Sequence, residues 1–598
     1  MENQPATPKV DEMTLSPDKD TNQDSTFLST KFKAISDQNT LRQPPRFDDP
    51  IVSYEHKSIP QIIQSILVFQ LCKVPILVKS ANQIIHYSNK LLGQTITNFF
   101  IRHTFFYHFC AGEDENDITP TLDKLKQRNI GAILDYAAED DIGCNNKNDL
   151  KRNSNSVISA KTDIITHPPF NQPARLYEYE SEQQCDNHVE IFLKCIQAVK
   201  KNHDHQHKES NNVLMTRPGF AAIKVTALGN PLLLERISTA IKEGEQLFLK
   251  FDHDKDGFIS RTEFASAYEV FFDNGSDTLS SLLDQLDPEC LDRIDYITFM
   301  SQLVTLENLP SLCQHCKAIG PLSMATPSME EFDLFTAMHE RVMIIAKEAS
   351  DCGVRLLIDA EQSKYQPAID NLALGLQQIY NDKEKTDVPI IFNTYQAYLK
   401  DAQRRIQIDL ERSIRFNYHF GAKLVRGAYM VSERLRAKEL NQSSPIHSSI
   451  EETHNCYNSI VEHLLRSKVN NEKLKYLQIM CATHNQESIQ RTLDLMDELK
   501  LHHKSHDENT IVSEAAAAKS SSSSSAVHFA QLYGMSDNLT YPLGKCNYSV
   551  YKYLPYGQID EVIPYLVRRV EENSDLLSNN ASKEVTLLLD ALRMRFAF

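Results

Sequence analysis

Eight short apolar runs, each followed by a longer stretch with helical spacing, set the pattern of the chain from about residue 130 onward. They read IGAILDYA, FAAIKVTAL, VRLLIDAE, PIIFNTYQAY, GAKLVRGAY, LQIMCATHN, VHFAQLYGM and SVYKYLPYG. Near-continuous apolar runs are typical of strands buried on both faces, and helices between them indicate parallel connections. The pattern therefore predicts an α/β fold, a (βα)8 TIM-like barrel.

The barrel is predicted to occupy residues 126–598, and other patterns flank or interrupt it. Residues 1–45 are polar with few aromatics, which is typical of a disordered segment. Residues 46–125 carry apolar residues at helical spacing and predict an N-terminal helical region. Residues 231–345 form a structured insertion, whereas 141–175 and 503–526 have the composition of polar loops.

Most of the apolar runs end in polar residues, and a barrel collects its reactive groups at the carboxyl ends of its strands. A packed core does not need such groups, so they predict a functional site. In chain order the residues at or just after these ends are Asp135, Glu139, Lys224, Asp359, Glu361, Gln396, Arg426, Tyr429, His484, Asn485, Leu532, Met535 and Tyr553.

The insertion contains the segment DHDKDGFISRTE, residues 252–263, which matches the EF-hand loop at every position. Hard oxygen donors in this order suit Ca²⁺, and amphipathic stretches flank the loop. The candidate ligands are the side chains of Asp252, Asp254, Asp256, Ser260 and Glu263 and the carbonyl of Phe258.

EF-hands usually occur in pairs, and the segment DPECLDRIDYIT, residues 287–298, has the right length for a partner loop. Ile294 stands where the short pairing strand is expected. The segment lacks the glycine turn and the terminal glutamate. We interpret it as a structural partner that does not bind calcium.

Composition narrows the class of protein. The net charge of −17 argues against a nucleic-acid surface and against a broadly basic membrane-binding face. The 12 cysteines are scattered, as in a reducing compartment, and the single close pair Cys313–Cys316 is a weak metal signal. The polar, acid-containing N-terminus resembles neither a signal nor a transit peptide. Lys73 and Pro75 interrupt the most apolar segment, which is therefore interpreted as an amphipathic or buried helix.

Several of these segments together resemble proline dehydrogenase over roughly residues 50–595. They are AIKVTALG, RLLIDAEQSKYQPAI, IFNTYQAYLKDA, GAKLVRGAYMVSER, ATHN, YKYLPYG and PYLVRRVEEN. The resemblance implies a distorted (βα)8 barrel that holds FAD at the strand ends. It implies oxidation of L-proline to pyrroline-5-carboxylate by hydride transfer to flavin N5, with the electrons passed to a membrane quinone.

The EF-hand insertion suggests a eukaryotic member of that family. The resemblance therefore implies a mitochondrial location, on the matrix side of the inner membrane. Peripheral contact with that membrane through the N-terminal helices is a further hypothesis.

The resemblance also assigns site residues. Arg568 and Arg569 match an arginine pair that binds the substrate carboxylate, a task suited to planar guanidinium groups. Other residues match positions around the substrate: Lys224, Asp359, Glu139, Tyr553, Tyr565 and Leu532. Those that match FAD-contacting positions are Gln396, Lys423, Val425, Arg426, Gly427, Ala428, Thr483, His484, Asn485 and Glu572. Lys423 departs from the bacterial members, which have arginine there.

Two alternatives remain. Hydroxyproline dehydrogenase has the same fold and chemistry, and we expect a smaller residue in that branch where Tyr553 stands. The other alternative is a calcium-binding regulatory protein with an inactive barrel. The matched substrate positions are all filled by competent residue types, which argues against it.

Overall fold

The eight predicted strands form a closed, all-parallel barrel in the computed structural model of the chain. We number these strands β1 to β8 in chain order: Gly131–Tyr136, Phe220–Ile223, Arg355–Ile358, Ile391–Gln396, Gly421–Val425, Gln478–Ala482, Val527–Leu532 and Val550–Tyr556. Strands adjacent in the chain pair with each other, and β1 closes the ring by pairing with β8 in the register Ile133 to Tyr553. The predicted fold class is confirmed.

The structure describes residues 44–137, 140–141, 175–176, 179, 181–209, 218–273, 276–305, 307–501, 525–575 and 580–596. Glu139 lies outside these residues, as do most of the predicted disordered segment and most of the polar stretches 141–175 and 503–526.

Helices connect successive strands around the outside of the barrel. After each strand in turn they are Glu182–Glu209; Pro231–Phe251 and Met329–Asp351; Gln366–Tyr380; Ala402–Arg415; Met430–Glu439 and Ile450–Asn470; Gln486–Glu498; Asp537–Lys545; and Ile559–Asp575, which Asn580–Phe596 follows. The inward-facing side chains fill the barrel rather than leaving a pore. They include Ile133, Phe220, Leu357, Phe392 and Tyr551, all fully buried.

Helices also precede the barrel, as the spacing predicts. They are Pro50–Tyr54, Ile59–Cys72, Pro75–Lys79, Ala81–Leu92, Gln94–Ile101, the π-helical turn Arg102–Phe106, Tyr107–Phe109 and Thr119–Lys126. Ile59–Cys72 packs against Asn580–Phe596 and Ile559–Asp575. Within the described residues, no helix has the length and apolarity needed to cross a membrane.

The insertion forms two helix–loop–helix units with a small core of their own. Pro231–Phe251 and Arg261–Phe271 flank the first loop, and Ser276–Leu286 and Tyr296–Gln302 flank the second. The strands Phe258–Ile259 and Ile294–Asp295 pair antiparallel with Ile259 opposite Ile294, so the predicted pairing is confirmed. Leu309–Gln314 and Pro321–Ala325 complete the insertion.

Candidate active site and calcium loop

An ion pair and a hydrogen bond join three barrel strands. Lys423 Nζ of β5 lies 2.5 Å from Asp359 Oδ1, just after β3. The Tyr553 hydroxyl of β8 donates to the other oxygen, Asp359 Oδ2, at 2.8 Å. Lys423 Nζ also lies 4.9 Å from the centre of the Tyr553 ring. Asp359 thus fixes a lysine and a tyrosine that come from distant parts of the chain.

A second pair of opposite charges, Asp135 and Lys224, lies beside the first. Burial raises the pKa of Asp135 to about 6, although Lys224 and a hydrogen bond from Tyr553 act in the opposite direction. Burial lowers the pKa of Lys224, which Asp135 and Asp359 oppose while the charge of Arg568 adds to the lowering. Asp135 is therefore the carboxylate that acts most strongly on Lys224. Arg568 belongs to the same electrostatic cluster.

Glu361 holds the backbone on either side of this cluster. Its fully buried carboxylate accepts from Thr226 N at 3.1 Å and Thr226 Oγ1 at 2.5 Å, in the turn that follows Lys224. Its carbonyl accepts from Gln396 Nε2 at 2.8 Å. Burial raises its pKa to about 7. The sequence marks Asp135 and Glu361 as strand-end acids but assigns neither a role.

Arg568 and Arg569 are both buried on the helix Ile559–Asp575, so neither lies on a solvated face. Arg569 Nη2 donates to Glu572 Oε1 at 2.6 Å. The Tyr565 ring centre lies 5.7 Å from the Arg568 guanidinium carbon and 4.8 Å from that of Arg569. Leu532 packs into the apolar cluster that contains Tyr565. Guanidinium groups are suited to binding a carboxylate, and one of these two already pairs with a protein carboxylate.

The cofactor candidates at the carboxyl ends of β4 and β5 include polar atoms without a partner in the described part of the chain and leave space for a ligand. Gln396 Oε1 and Arg426 Nε are buried, and neither has a hydrogen-bond partner among the described residues. Arg426 is otherwise held by His454 Nδ1 at 2.8 Å and Ser488 Oγ at 2.9 Å. Gly427 has a φ of +85°, and a Cβ there would meet no atom within 4 Å beyond its chain neighbours. Val425 and Ala428 are half-buried beside it.

The segment after β6 is held in place by local hydrogen bonds. Asn485 caps the helix Gln486–Glu498 by accepting from Ser488 N at 2.8 Å, and Asn485 N donates to Thr483 Oγ1 at 3.1 Å. His484 Nδ1 pairs with Ser536 Oγ at 2.8 Å, and burial lowers the pKa of His484 to about 3. His484 is therefore neutral at physiological pH. The accessible backbone at Gly427, the Gln396 and Arg426 atoms without a partner in the described chain and the Arg426 guanidinium together fit a large, anionic, hydrogen-bonding cofactor such as FAD.

The first loop of the insertion brings carboxylates together. Oxygen atoms of Asp252, Asp254 and Asp256 lie within 4.8 Å of one another, and Asp252 Oδ1 is buried without a hydrogen-bond partner in the described chain. Glu263 Oε2 accepts from Ser260 N at 2.8 Å, and hydrogen bonds from the Ser260 backbone and side chain lower the Glu263 pKa. Carboxylate oxygens that lie this close to one another fit Ca²⁺.

The second loop is held by protein groups. Asp287 Oδ1 accepts from Leu291 N at 2.8 Å, and Asp287 Oδ2 accepts from Asp292 N at 3.0 Å. Arg261, from the first unit, also reaches Asp287 Oδ2 at 3.4 Å. The loop pair is joined to the barrel helix Ala402–Arg415, because Arg415 Nη2 lies 2.5 Å from Asp295 Oδ2.

The fold and the site define a TIM-barrel enzyme with buried lysine, arginine and carboxylate groups at the strand ends. The proline dehydrogenase family model matches residues 118–582. The chain belongs to the proline dehydrogenase family and is an oxidoreductase; members of this family are in general FAD-dependent.

Known relatives cover most of the chain. Proline dehydrogenase 1, mitochondrial, from Homo sapiens is 33% identical over 581 residues, covering 90% of this chain and 88% of that protein. The Drosophila melanogaster protein of the same name is 31% identical over 92% and 80%. Hydroxyproline dehydrogenase from Xenopus laevis is 26% identical over 91% and 88%. A solved structure of proline utilization A from Bdellovibrio bacteriovorus gives a TM-score of 0.49 at 13% identity, covering 95% of this chain and 43% of that one.

Proposed function

We propose that the chain oxidises L-proline to pyrroline-5-carboxylate with FAD as its cofactor. The observation that carries this proposal is the buried arginine pair on Ile559–Asp575, together with Lys224 and Asp135 at the strand ends. A zwitterionic amino acid needs a cationic clamp for its carboxylate and a polar neighbourhood for its amine. The family membership supplies the substrate class.

In this proposal Arg568 and Arg569 bind the proline carboxylate, and Glu572 orients Arg569 through the 2.6 Å contact. Tyr565 and Leu532 form the apolar wall for the ring. Glu139, which lies outside the described residues, is proposed to pair with one of the arginines and to close the site against water. Lys224, Asp359 and Tyr553 complete the substrate's surroundings.

The cofactor would be held by the residues after β4, β5 and β6. Gln396 and Arg426 offer buried, unsatisfied polar atoms, and Gly427 leaves its backbone open to close approach. Lys423, Val425, Ala428, Thr483, His484, Asn485 and Glu572 are the other proposed contacts. FAD supplies the acceptor for the hydride that leaves the ring carbon next to nitrogen. The protein's part is to position that carbon and to exclude water.

Turnover with a soluble dye as electron acceptor tests the proposal. We expect proline-dependent dye reduction with formation of one pyrroline-5-carboxylate per two electrons. Arg568→Met is expected to abolish saturation by proline while flavin content is retained. If dye reduction is absent from a flavin-loaded enzyme, the substrate assignment is wrong.

Hydroxyproline is the second candidate substrate, because a hydroxyproline dehydrogenase is among the relatives. Tyr553 favours proline, since its hydroxyl is fixed on Asp359 at 2.8 Å and its ring occupies the position where we expect a smaller residue. Comparison of kcat/KM for the two substrates decides between them. Tyr553→Ser is expected to move the ratio toward hydroxyproline, and an unchanged ratio contradicts this role of Tyr553.

We further propose that the first loop of the insertion binds Ca²⁺ through Asp252, Asp254, Asp256, Phe258, Ser260 and Glu263. The convergent carboxylates and the orphaned Asp252 Oδ1 support it. Calorimetric titration with CaCl₂ should give one site that Glu263→Gln weakens strongly. Glu269→Gln, an exposed change on the same helix Arg261–Phe271, is the matched control. Equal affinity of the two variants contradicts the assignment.

The electrons are proposed to pass to a ubiquinone-type acceptor during peripheral contact with a membrane. The names of the human and fruit-fly relatives include the word mitochondrial, which supports a mitochondrial location for this chain. The matrix side of the inner membrane remains the proposed face. Reduction of a short-chain ubiquinone by proline and enzyme tests the acceptor.

A further inference from the structure

The helix Ala81–Leu92 presents an apolar stripe to solvent. Ile84, Tyr87 and Leu91 are exposed, with 82% of Leu91 accessible, and their spacing of three and four residues places them on one face. None of the residues of this helix whose side chains are described is buried. The stripe therefore contributes nothing to the core of the protein.

The neighbouring helices repeat this feature. Gln94–Ile101, which packs against Ala81–Leu92, exposes Ile96, Phe99 and Phe100, again at helical spacing. Single exposed apolar residues are normal, but stripes on successive helices mark an interaction surface. We call the following set the N-terminal apolar face: Ile63, Leu67, Ile76, Ile84, Tyr87, Leu91, Ile96, Phe99 and Phe100.

The charge of this region differs from that of the whole chain. No acidic residue stands between Glu55 and Glu113, whereas 80 acids in 598 residues would place about eight in a stretch of that length. The same stretch has five cationic residues: Lys57, Lys73, Lys79, Lys90 and Arg102. Lys57 and Arg102 are paired with Asp537 and Glu113. Lys73 and Lys90 are exposed. The strongly negative net charge therefore conceals a stretch that has exposed lysines and no acid of its own, and besides Asp537 and Glu113 it is contacted by Asp560.

This region lies against the helix that carries the arginine pair. Gln94 Nε2 and Asn98 Nδ2 donate to Asp560 at 3.0 and 2.8 Å, at the start of Ile559–Asp575. Phe106 and Phe109 share a buried cluster with Val562 on the same helix. The helix Ile559–Asp575 therefore contacts the N-terminal region and also carries the arginine pair of the proposed substrate site.

We propose that the N-terminal apolar face docks on an anionic lipid surface. Amphipathic helices with aromatic and aliphatic residues on one side and cations nearby lie in the interface of a bilayer, and anionic headgroups attract the cations. Lys73 and Lys90 would reach the headgroups while the apolar stripes enter the acyl boundary. This proposal rests on the membrane contact in the proposed function and identifies the surface and the lipid chemistry that make it.

Co-sedimentation of the full-length, flavin-loaded protein with vesicles tests the proposal. The vesicles contain phosphatidylcholine alone or phosphatidylcholine with phosphatidylglycerol. We expect binding to the anionic vesicles, with the affinity falling about fivefold for each of Lys73→Gln and Lys90→Gln. Leu91→Ser with Phe99→Ser is expected to reduce it by more than about tenfold. Ile319→Ser and Lys347→Gln, exposed changes in and after the insertion, are matched controls that should bind as the parent does.

Equal binding by face variants and controls, or no binding by the parent, overturns the proposal. Sedimentation velocity in the absence of lipid tests the alternative that a second copy of the chain covers this face. If Leu91→Ser with Phe99→Ser converts a dimer to a monomer and no variant binds vesicles, a second copy covers this face instead. Dye-linked proline oxidation is measured on every variant. Loss of vesicle binding with full dye reduction supports the surface, whereas lack of dye reduction in the parent rejects the catalytic proposal alone.

Discussion

The substitution Gly427→Ala should affect flavin affinity and the stability of the cofactor-free protein for different reasons, so the two effects can be measured separately. Gly427 follows β5 with a φ of +85°, and a Cβ there meets nothing within 4 Å beyond its chain neighbours. The only cost to the cofactor-free protein is the left-handed backbone, about 1–2 kcal/mol for a residue with a Cβ. If FAD lies against this backbone, the methyl group also crowds the cofactor. An overpacked contact costs about 1–3 kcal/mol, a roughly five- to 150-fold loss of affinity.

Gly353→Ala is the matched control. Gly353 has a φ of +65°, also has open space around the position of a Cβ, and precedes β3 at the opposite end of the barrel. Both variants should lose similar thermal stability without flavin. Only Gly427→Ala should lose flavin affinity, measured by quenching of flavin fluorescence during titration of the apoprotein. Equal flavin affinity in the two variants refutes the placement of the cofactor after β5.

Three further changes test other parts of the site. Arg569→Lys should raise the KM for proline about tenfold to a hundredfold in steady-state assays, because lysine lacks the fork that serves Glu572 and a carboxylate together. Lys552→Met should lower the free energy of unfolding by about 1.5–3 kcal/mol, because buried Asp537 loses its lysine partner at 2.8 Å and keeps Lys57 at 2.9 Å. Asp135→Asn should remove a pH dependence of stability. With a folded pKa of about 6 and an unfolded value near 3.9, ionisation of Asp135 opposes folding by about 3 kcal/mol above pH 6 and not below about pH 4.

Each of these three changes has a control or a result that would contradict the expectation. A KM for proline that Arg569→Lys leaves unchanged removes the carboxylate role of that residue. Lys347→Met, at an exposed position, should not alter unfolding by urea, and a Lys552→Met protein of equal stability contradicts the role of the buried pair. For Asp135, parent and variant must differ in the change of melting temperature between about pH 4 and pH 6. Parallel curves contradict the raised pKa.

The sequence predicts the barrel well because parallel strands buried on both faces leave a strong apolar signal. All eight runs contain the observed strands, and even the two-residue pairing of Ile259 with Ile294 follows from loop length. The pattern cannot say which strand ends meet across the barrel. Lys423 and Asp359 are 64 positions apart, and Tyr553 and Asp359 are 194 apart. Their contacts depend on closure of the ring.

Buried electrostatics are the other part that sequence does not provide. In the sequence Asp135 looks like one strand-end acid among several, and only the structure shows that it acts most strongly on Lys224 whereas Asp359 pairs with Lys423. Similarly, net charge argued against a broadly basic membrane-binding face, whereas the acid-free stretch becomes informative once Leu91 and Phe99 are seen to be exposed. The solvent accessibility of individual residues, which composition does not give, is what identifies the buried acid and the exposed apolar residues.

The most direct test of proline oxidation at this site is the absorbance spectrum of the purified enzyme before and after anaerobic addition of L-proline. We expect a flavin band that bleaches with proline in the parent and persists in Arg568→Met. A flavin band that proline leaves unchanged in the parent contradicts the proposed oxidation of proline at this site.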